Sequence, residues 1–274
     1  MDVREEMLRN VSSKYVIASI IADDEGIIAG IPLTKKEADK LGLALLKIVN
    51  NGSHVKKGDE IFRFAGRPKQ IVLAEEILVG LLAKPSGIAT NAHKFVQATD
   101  GQAKIVCGAW KKMPAMLKDM IRDAISVGGA HSRIVSGKFV YLDKNYIELL
   151  GGIKESIATV AHLKDYSIVV QVKGRYSDIV SEACVAAESG ADIVFIDTGK
   201  PEDVLSVVDK LIQLGLRNKV KIAFGGGVNI KDIGELITLD IDILDIGRQI
   251  VDAPLLDMRL DIVSVRTTSA DLTK

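Results

Sequence analysis

The sequence is poor in several things, and each shortage narrows what the chain can be. It has two cysteines, Cys107 and Cys184, far apart in apolar surroundings and outside any CxxC or interleaved histidine spacing. A disulfide scaffold or zinc module is excluded, and both read as small buried hydrophobes in a reducing compartment. Aromatic residues make up 4% of the chain against 47% apolar residues overall. The core must therefore be built from Val, Ile, Leu and Ala, the material of parallel strands covered by helices. Neither sign of charge dominates, since 36 Lys and Arg balance 36 Asp and Glu. There is no bulk attraction to nucleic acid or to an anionic membrane, so any anion site must be local. Long apolar runs are also missing. Residues 1–10 are charged throughout, and the apolar run after Tyr15 is interrupted by Asp23, Asp24 and Glu25. The expectation is a cytoplasmic protein with neither membrane nor nucleic acid as partner.

At 274 residues the chain holds one large domain or two unequal ones. In the first hundred residues, 15–22 and 26–31 are β-rich runs separated by the acidic turn DDEG, the pattern of a hairpin or a closely connected strand pair. Thr34 and Glu37 have capping-box spacing ahead of the apolar stripe Ala38, Leu41, Ala44, Leu45. HVKKGDEIFRFAGRP reads as a strand pair bounded by glycines. A helix is predicted over 70–83, ended by Pro85, with Ser86 capping a second helix that runs to about Ala98.

From Lys104 onward the pattern changes. Short β-branched runs occur at 104–109, 138–143, 167–172, 191–197, 219–224 and 241–247, each followed by a helical pattern. Six strand-helix units of this kind form a parallel sheet, either closed as an α/β barrel or open and doubly wound. No GxGxxG follows the first strand and no GxxxxGK[ST] occurs anywhere, so nothing favours the open form and a barrel is expected. Chemistry in a barrel sits just past the strand C-termini. The rim candidates are Lys111, Lys112, Asp143, Lys144, Gln171, Lys173, Asp197, Gly225, Gly226, Gly227, Gly247 and Arg248. Glycine turns, a carboxylate and several cations suit a sugar phosphate, because bare backbone amides can approach it closely. For Gly225–Gly227 an ordinary tight βα turn is an equal reading, and for Gly247 alone it is the better one. His131 reads as a loop polar contact or a proton carrier; His54, His93 and His162 have no partner at metal-ligand spacing. Trp110, the only tryptophan, either stacks on a heterocycle at the rim or packs against the N-terminal domain.

Between Ala74 and Thr90 the chain reads AEEILVGLLAKPSGIAT. With Ala29-Gly30, KGDEIFRFAG, KKMP, SVGGAHSR, DKNYI, GADIVFID, FGGGVNI and DIG, in that order, it resembles the quinolinate phosphoribosyltransferases. The resemblance implies an α/β fold: an N-terminal α/β sandwich domain over 1–100 plus an incomplete parallel α/β barrel of about six strands over 101–274. The last residues would pack back on the first domain. It implies a homodimer or an assembly of dimers, Mg2+ as cofactor, and phosphoribosyl pyrophosphate and an aromatic acceptor as substrates. By the same resemblance, Gly225, Gly226, Gly227 and Gly247 hold the 5'-phosphate. Lys111 and Arg133 neutralise pyrophosphate or the acceptor, and Asp197 lies near metal and ribose; these three are the expected catalytic residues. Lys144 and His131 are further substrate-binding candidates.

Five positions depart from the family pattern. Glu76 and Trp110 stand where the family has arginine, Ser132 where it has histidine, Asp143 where it has lysine, and Gln171 where it has a glutamate on the metal side. Replacing a cation by an anion about 4 Å from a carboxylate shifts the interaction by several kcal/mol at an effective dielectric near 20. The expected activity is thus nicotinate-nucleotide diphosphorylase-like transfer, with the acceptor left open by the altered quinolinate-gripping positions. The alternatives are a non-catalytic paralogue that binds a phosphorylated metabolite, and an unrelated sugar-phosphate barrel enzyme.

Overall fold

A computed structural model describes residues 2–267. In chain order the strands are β1 (Tyr15–Ala22), β2 (Gly26–Ile27), β3 (Ala44–Ile48), β4 (His54–Val55), β5 (Glu60–Gly66), β6 (Lys104–Val106), β7 (Phe139–Leu142), β8 (Ser167–Val172), β9 (Ile193–Asp197), β10 (Lys221–Gly225), β11 (Ile243–Asp245) and β12 (Met258–Arg266). The helices are α1 (Val3–Met7), α2 (Ile31–Lys40), α3 (Pro68–Ala98), α4 (Lys118–Val127), α5 (Lys144–Leu149), α6 (Ile153–Val160), α7 (Ile179–Ser189), α8 (Pro201–Gln213), α9 (Ile233–Leu236) and α10 (Arg248–Val251). Two compact units result, one from residues up to 93 with 114–129 and the segment from 252, the other from 94–113 and 130–251. No helix among the described residues is long and apolar enough to cross a membrane.

The first unit carries a four-stranded antiparallel sheet in the order β12-β1-β5-β3. Its apolar face, with Ile20, Phe62 and Phe64 fully buried, packs with Ala74, Leu78 and Leu82 of α3. The acidic turn does not make a hairpin. β1 bonds to β5 and β12, whereas β2 pairs with β4, so the expected strand pair within 54–66 is not one either. Gly30, at φ +93°, occupies the N-cap of α2, and Thr34 sits inside the helix with its hydroxyl donating to the Gly30 carbonyl at 3.0 Å. The expected capping box is therefore absent, and Ala44 and Leu45 belong to β3 rather than to a helical stripe.

The largest correction concerns Pro85. It lies inside α3, which continues without a break from Pro68 to Ala98, so Ser86 caps nothing. Proline removes the amide that would bond to the Leu81 carbonyl. Gly30 lies against that freed carbonyl, so closely that a Cβ there would fall 2.2 Å from it. The motif that follows is then explained as joinery. Ser86 Oγ, fully buried, accepts from the Ala29 amide at 3.0 Å and donates to its carbonyl. Thr90 Oγ1 accepts from the Ile27 amide at 2.9 Å. A Cβ on Gly87 would lie 1.9 Å from the Pro254 carbonyl, because the segment leading to β12 crosses the helix there. Lys84 Nζ to the Ala253 carbonyl at 2.7 Å and the Leu256 amide to the Ala83 carbonyl at 3.0 Å complete the crossing.

In the second unit all six strands are parallel, in the order β6-β11-β10-β9-β8-β7. The first strand bonds to the last and every other neighbour is consecutive, which is a barrel left open between β6 and β7. At that seam His131 forms a parallel bridge to Val106, with Cys107 N to His131 O at 2.8 Å and His131 N to Ile105 O at 2.9 Å. Ile134 and Val135 turn into the interior and fill it with Val106, Phe139, Val169, Ile193, Phe195, Ala223 and Ile243. Side chains alternate along a strand, so the next inward position above this layer is Gln171 on β8, Asp197 on β9, Gly225 on β10 and Asp245 on β11. Register confirms one level for three of them: Asp197 pairs with Gly225, and Ala223 with Ile243 two residues below Gly225 and Asp245.

Candidate active site

The end of the barrel interior is polar because the apolar alternation stops there. Asp197 is its centre. Its Oδ2 accepts from Gln171 Nε2 at 2.6 Å and from Lys173 Nζ at 2.7 Å, while its main-chain oxygen accepts from Lys173 Nζ at 2.9 Å. Gln171 works in both directions, since its Oε1 accepts from the Lys144 amide at 3.2 Å at the start of α5. Lys144 is exposed, and the Asp143 side chain caps α5 by accepting from the Asn145 and Tyr146 amides.

The loop carrying Lys173 is held by a residue that no motif flagged. Glu182 on α7 is buried, and its carboxylate accepts from the amides of Lys173, Gly174, Arg175 and Tyr176 at 2.6–2.9 Å and from Ser177 at 3.5 Å. A side chain nine residues on in sequence thus fixes the backbone from which Lys173 reaches Asp197.

Beyond Asp197 two turns meet backbone to backbone. The Gly199 amide donates to the Gly225 carbonyl at 2.9 Å. Gly226 and Gly227 have φ of +111° and +105°, and a Cβ on Gly226 would lie 2.4 Å from the Gly199 nitrogen. Gly199 and Gly226 leave no room for a side chain, so bare backbone stands at the rim there. Asn229 braces the turn, its Nδ2 donating to the Gly227 carbonyl at 3.1 Å and its Oδ1 accepting from Gln249 Nε2 at 2.6 Å.

Asp245 completes the acidic floor. Burial pushes its carboxyl above the ordinary range, opposed by the Gly108 amide that donates at 3.0 Å; the Asp197 charge raises it further, and Lys111 and Lys112 oppose that. Tyr141 points inward against Phe195, with ring centroids 6.3 Å apart, and burial first, then Asp197, Asp245 and Asp143, keep it a phenol. Lys111 Nζ lies 5.1 Å from that ring's centroid, a cation over a π face. Gly247 sits at the same rim, its Cβ position 3.6 Å from Ala109 and its carbonyl 3.7 Å from the Cys107 thiol. Burial lifts Cys107 to about 12, so it is no nucleophile.

At the seam, Trp110 Nε1 donates to the Ser132 carbonyl at 2.8 Å, which ties the loop after β6 to the strand-like segment beside it. Arg133 is exposed and its guanidinium lies 5.1 Å from the Phe139 centroid. His131 is engaged through its backbone, and burial followed by the Lys104 charge favours its neutral ring. Glu76 belongs to the other unit, exposed on α3, where its Oε1 accepts from Arg4 at 2.5 Å.

The structure thus brings Gln171, Lys173, Asp197, the Gly225–Gly227 turn and Lys111 to one end of the barrel, and adds Asp245, Tyr141 and Glu182. The period of two was the available signal for most of these, since Gln171 and Lys173 share a parity, as do Phe139 and Tyr141. Glu182 gave none. Among the described residues no three His, Cys, Asp or Glu side chains converge as a metal site. Mg2+ prefers carboxylate and water oxygens in an octahedron, whereas Asp197 Oδ2 faces an ammonium and an amide nitrogen. A protein-held Mg2+ does not fit that donor set.

Comparison with known proteins places this geometry. The family described as "Quinolinate phosphoribosyl transferase, N-terminal domain" matches residues 2–86, and its C-terminal domain matches 88–261. A probable nicotinate-nucleotide pyrophosphorylase (carboxylating) of Archaeoglobus fulgidus is 29% identical over 92% of this chain and 96% of its own length. The human nicotinate-nucleotide pyrophosphorylase (carboxylating) is 26% identical over 89% of this chain and 82% of its own. Among solved structures, the nicotinate-nucleotide pyrophosphorylase from Pyrococcus furiosus superposes with a TM-score of 0.84 at 21% identity, over 96% of this chain and 73% of that one. The Ehrlichia chaffeensis protein of that name gives 0.82 at 18%, over 95% and 92%. With both domains matched in order along nearly the whole sequence, the chain belongs to the quinolinate phosphoribosyltransferase family.

Proposed function

We propose that this protein is a phosphoribosyltransferase of the nicotinate-nucleotide pyrophosphorylase type whose acceptor differs from quinolinate. The observation that carries the phosphoribosyl half is the pair of turns that meet backbone to backbone at Gly199 and Gly225–Gly227, beside the central carboxylate of Asp197. Backbone amides of the glycine turn bind the 5'-phosphate, with Gly247 flanking it. Asp197 orients the ribose, and Lys111 and Arg133 neutralise the departing pyrophosphate, the cationic contribution that phosphate leaving groups require. Mg2+ belongs to this reading as a counter-ion of the diphosphate and not as a protein-bound group. Lys144 and His131 are the further contacts toward substrate.

The acceptor half rests on the replaced positions. Trp110 Nε1 is committed to the Ser132 main-chain carbonyl, and Gln171 is committed to Asp197 and the Lys144 amide. None of these adds a cation to grip a second carboxylate. An aromatic acceptor with less negative charge than quinolinate follows.

Calorimetric titration with phosphoribosyl pyrophosphate, quinolinate, nicotinate and nicotinate mononucleotide tests both halves. Phosphoribosyl pyrophosphate binds and quinolinate does not bind in the micromolar range. Absence of phosphoribosyl pyrophosphate binding overturns the function, and micromolar quinolinate binding overturns the changed acceptor. The second reading, a non-catalytic binder of a phosphorylated metabolite, is favoured by the engagement of Asp197 with Lys173, and is excluded by turnover of labelled phosphoribosyl pyrophosphate with any aromatic acceptor.

A further inference from the structure

We propose that the Lys173 ammonium is the resident cation of the barrel end, standing where a divalent metal would otherwise be needed, so that a diphosphate binds there without a protein-held metal. The inference rests on the phosphoribosyl reading above. Its basis is a charge balance among three side chains. Lys173 Nζ contacts both the carboxylate and the main-chain oxygen of Asp197 at 2.7 and 2.9 Å, and Gln171 contributes a neutral amide at 2.6 Å to the same carboxylate oxygen. A carboxylate at 171 would oppose Asp197 at contact distance, and two carboxylates that close require a proton or a bridging cation. With glutamine at 171 and lysine at 173, the cluster holds one negative and one positive charge and needs neither.

Preorganisation supports the role. A free lysine is a mobile point charge on a flexible stem, but the Lys173 main chain is pinned through the buried Glu182 carboxylate, and its head is seated on two Asp197 oxygens. The side chain stays partly exposed, at 36%. An ammonium has three donors, and two are directed at Asp197, so one remains for an incoming phosphate oxygen. Phosphate binding by a lysine point charge is common chemistry. Lys173 is in this sense a binding residue for the diphosphate, with Gln171 as its positioning partner through Asp197.

Two measurements test this on the intact protein. Mn2+ titration of the free wild-type protein, followed by electron paramagnetic resonance, shows no site tighter than millimolar. Phosphoribosyl pyrophosphate then binds with affinities within about threefold in EDTA and in excess Mg2+. The Lys173→Glu variant reverses this pattern, showing a Mn2+ site in the free protein and at least a tenfold dependence of binding on Mg2+. The Lys173→Met variant, with volume kept and no carboxylate added, loses about tenfold in EDTA without gaining a Mn2+ site. A micromolar Mn2+ site in the wild type, or binding more than tenfold weaker in EDTA, overturns the inference while leaving the phosphoribosyl reading intact. No binding under either condition overturns both.

Discussion

The Glu182 carboxylate holds Lys173 by its backbone, accepting the Lys173 amide at 2.9 Å from a position in which Glu182 is only 3% exposed. The same two oxygens receive the amides of the next four residues, so the loop between β8 and α7 is wrapped around one anion. Glu182→Ala leaves these buried donors without a partner, at a cost of about 3 kcal/mol. Glu182→Gln retains one acceptor and costs less. Urea unfolding ranks the three proteins, and equal midpoints would contradict the assignment.

The two glycines of the β10 turn separate sterics from backbone strain. At Gly226 both apply, because the Cβ position is 2.4 Å from the Gly199 nitrogen and φ is +111°. At Gly227 no atom lies within 4 Å of that position and only φ of +105° is unfavourable. Gly227→Ala therefore costs about 1–2 kcal/mol and Gly226→Ala clearly more. Binding of inorganic phosphate falls further in the Gly226 variant than in the Gly227 variant, measured on the folded fraction of each.

Substitutions in the SGIAT motif act on stability and not on the ligand. Ser86→Ala removes a buried hydroxyl that serves both the amide and the carbonyl of Ala29, at about 1–3 kcal/mol. Gly87→Ala drives a methyl into the Pro254 carbonyl and destabilises more. Thermal melting detects both, and ligand affinity per folded molecule stays within about twofold of wild type.

Asp245 predicts a pH dependence of known sign. Its carboxyl is raised above the ordinary range by burial, so the folded state holds its proton more tightly than the unfolded chain. The associated stability is fully present below the ordinary carboxylate value and is lost as pH rises through the raised one. Asp245→Asn keeps an oxygen to accept from the Gly108 amide and removes the charge. The variant melts higher than wild type at pH 7, by ~2 °C or more, and the gap narrows as pH is lowered toward ~4. A gap that widens on acidification would contradict the shift.

The barrel was legible from its sequence because each strand is a short β-branched run and the sheet joins mainly consecutive strands. SIVVQV at β8 matches its observed bounds, and the other five differ by a few residues at their ends. The first unit was less legible because its pairings are distant: the neighbours of β1 come from residues 60–66 and 258–266. Pro85 misled for a specific reason. The lost amide bond argues for a helix end, but Gly30 abuts the orphaned carbonyl of Leu81 and the helix continues. In the site, Asp197 and the glycine turn followed from their place after strands. The Lys173 contact needed the register between β8 and β9, which sets Gln171 opposite Phe195 and so brings two residues 24 apart in sequence together. Glu76 is engaged by Arg4 on the surface of α3.

The pairing of β1 with β12 has a consequence in time as well as space. During synthesis β1 emerges early, yet one of its edges finds its partner only when residues 258–266 have appeared, after the entire barrel has been made. An open edge with Val16, Ile17, Ala18 and Ile20 beside it is a template for pairing with another chain. The barrel, held by contacts between mainly consecutive strands, can consolidate first. A ribosome paused or stopped before Met258 would therefore release a chain with a finished barrel and an aggregation-prone sandwich half.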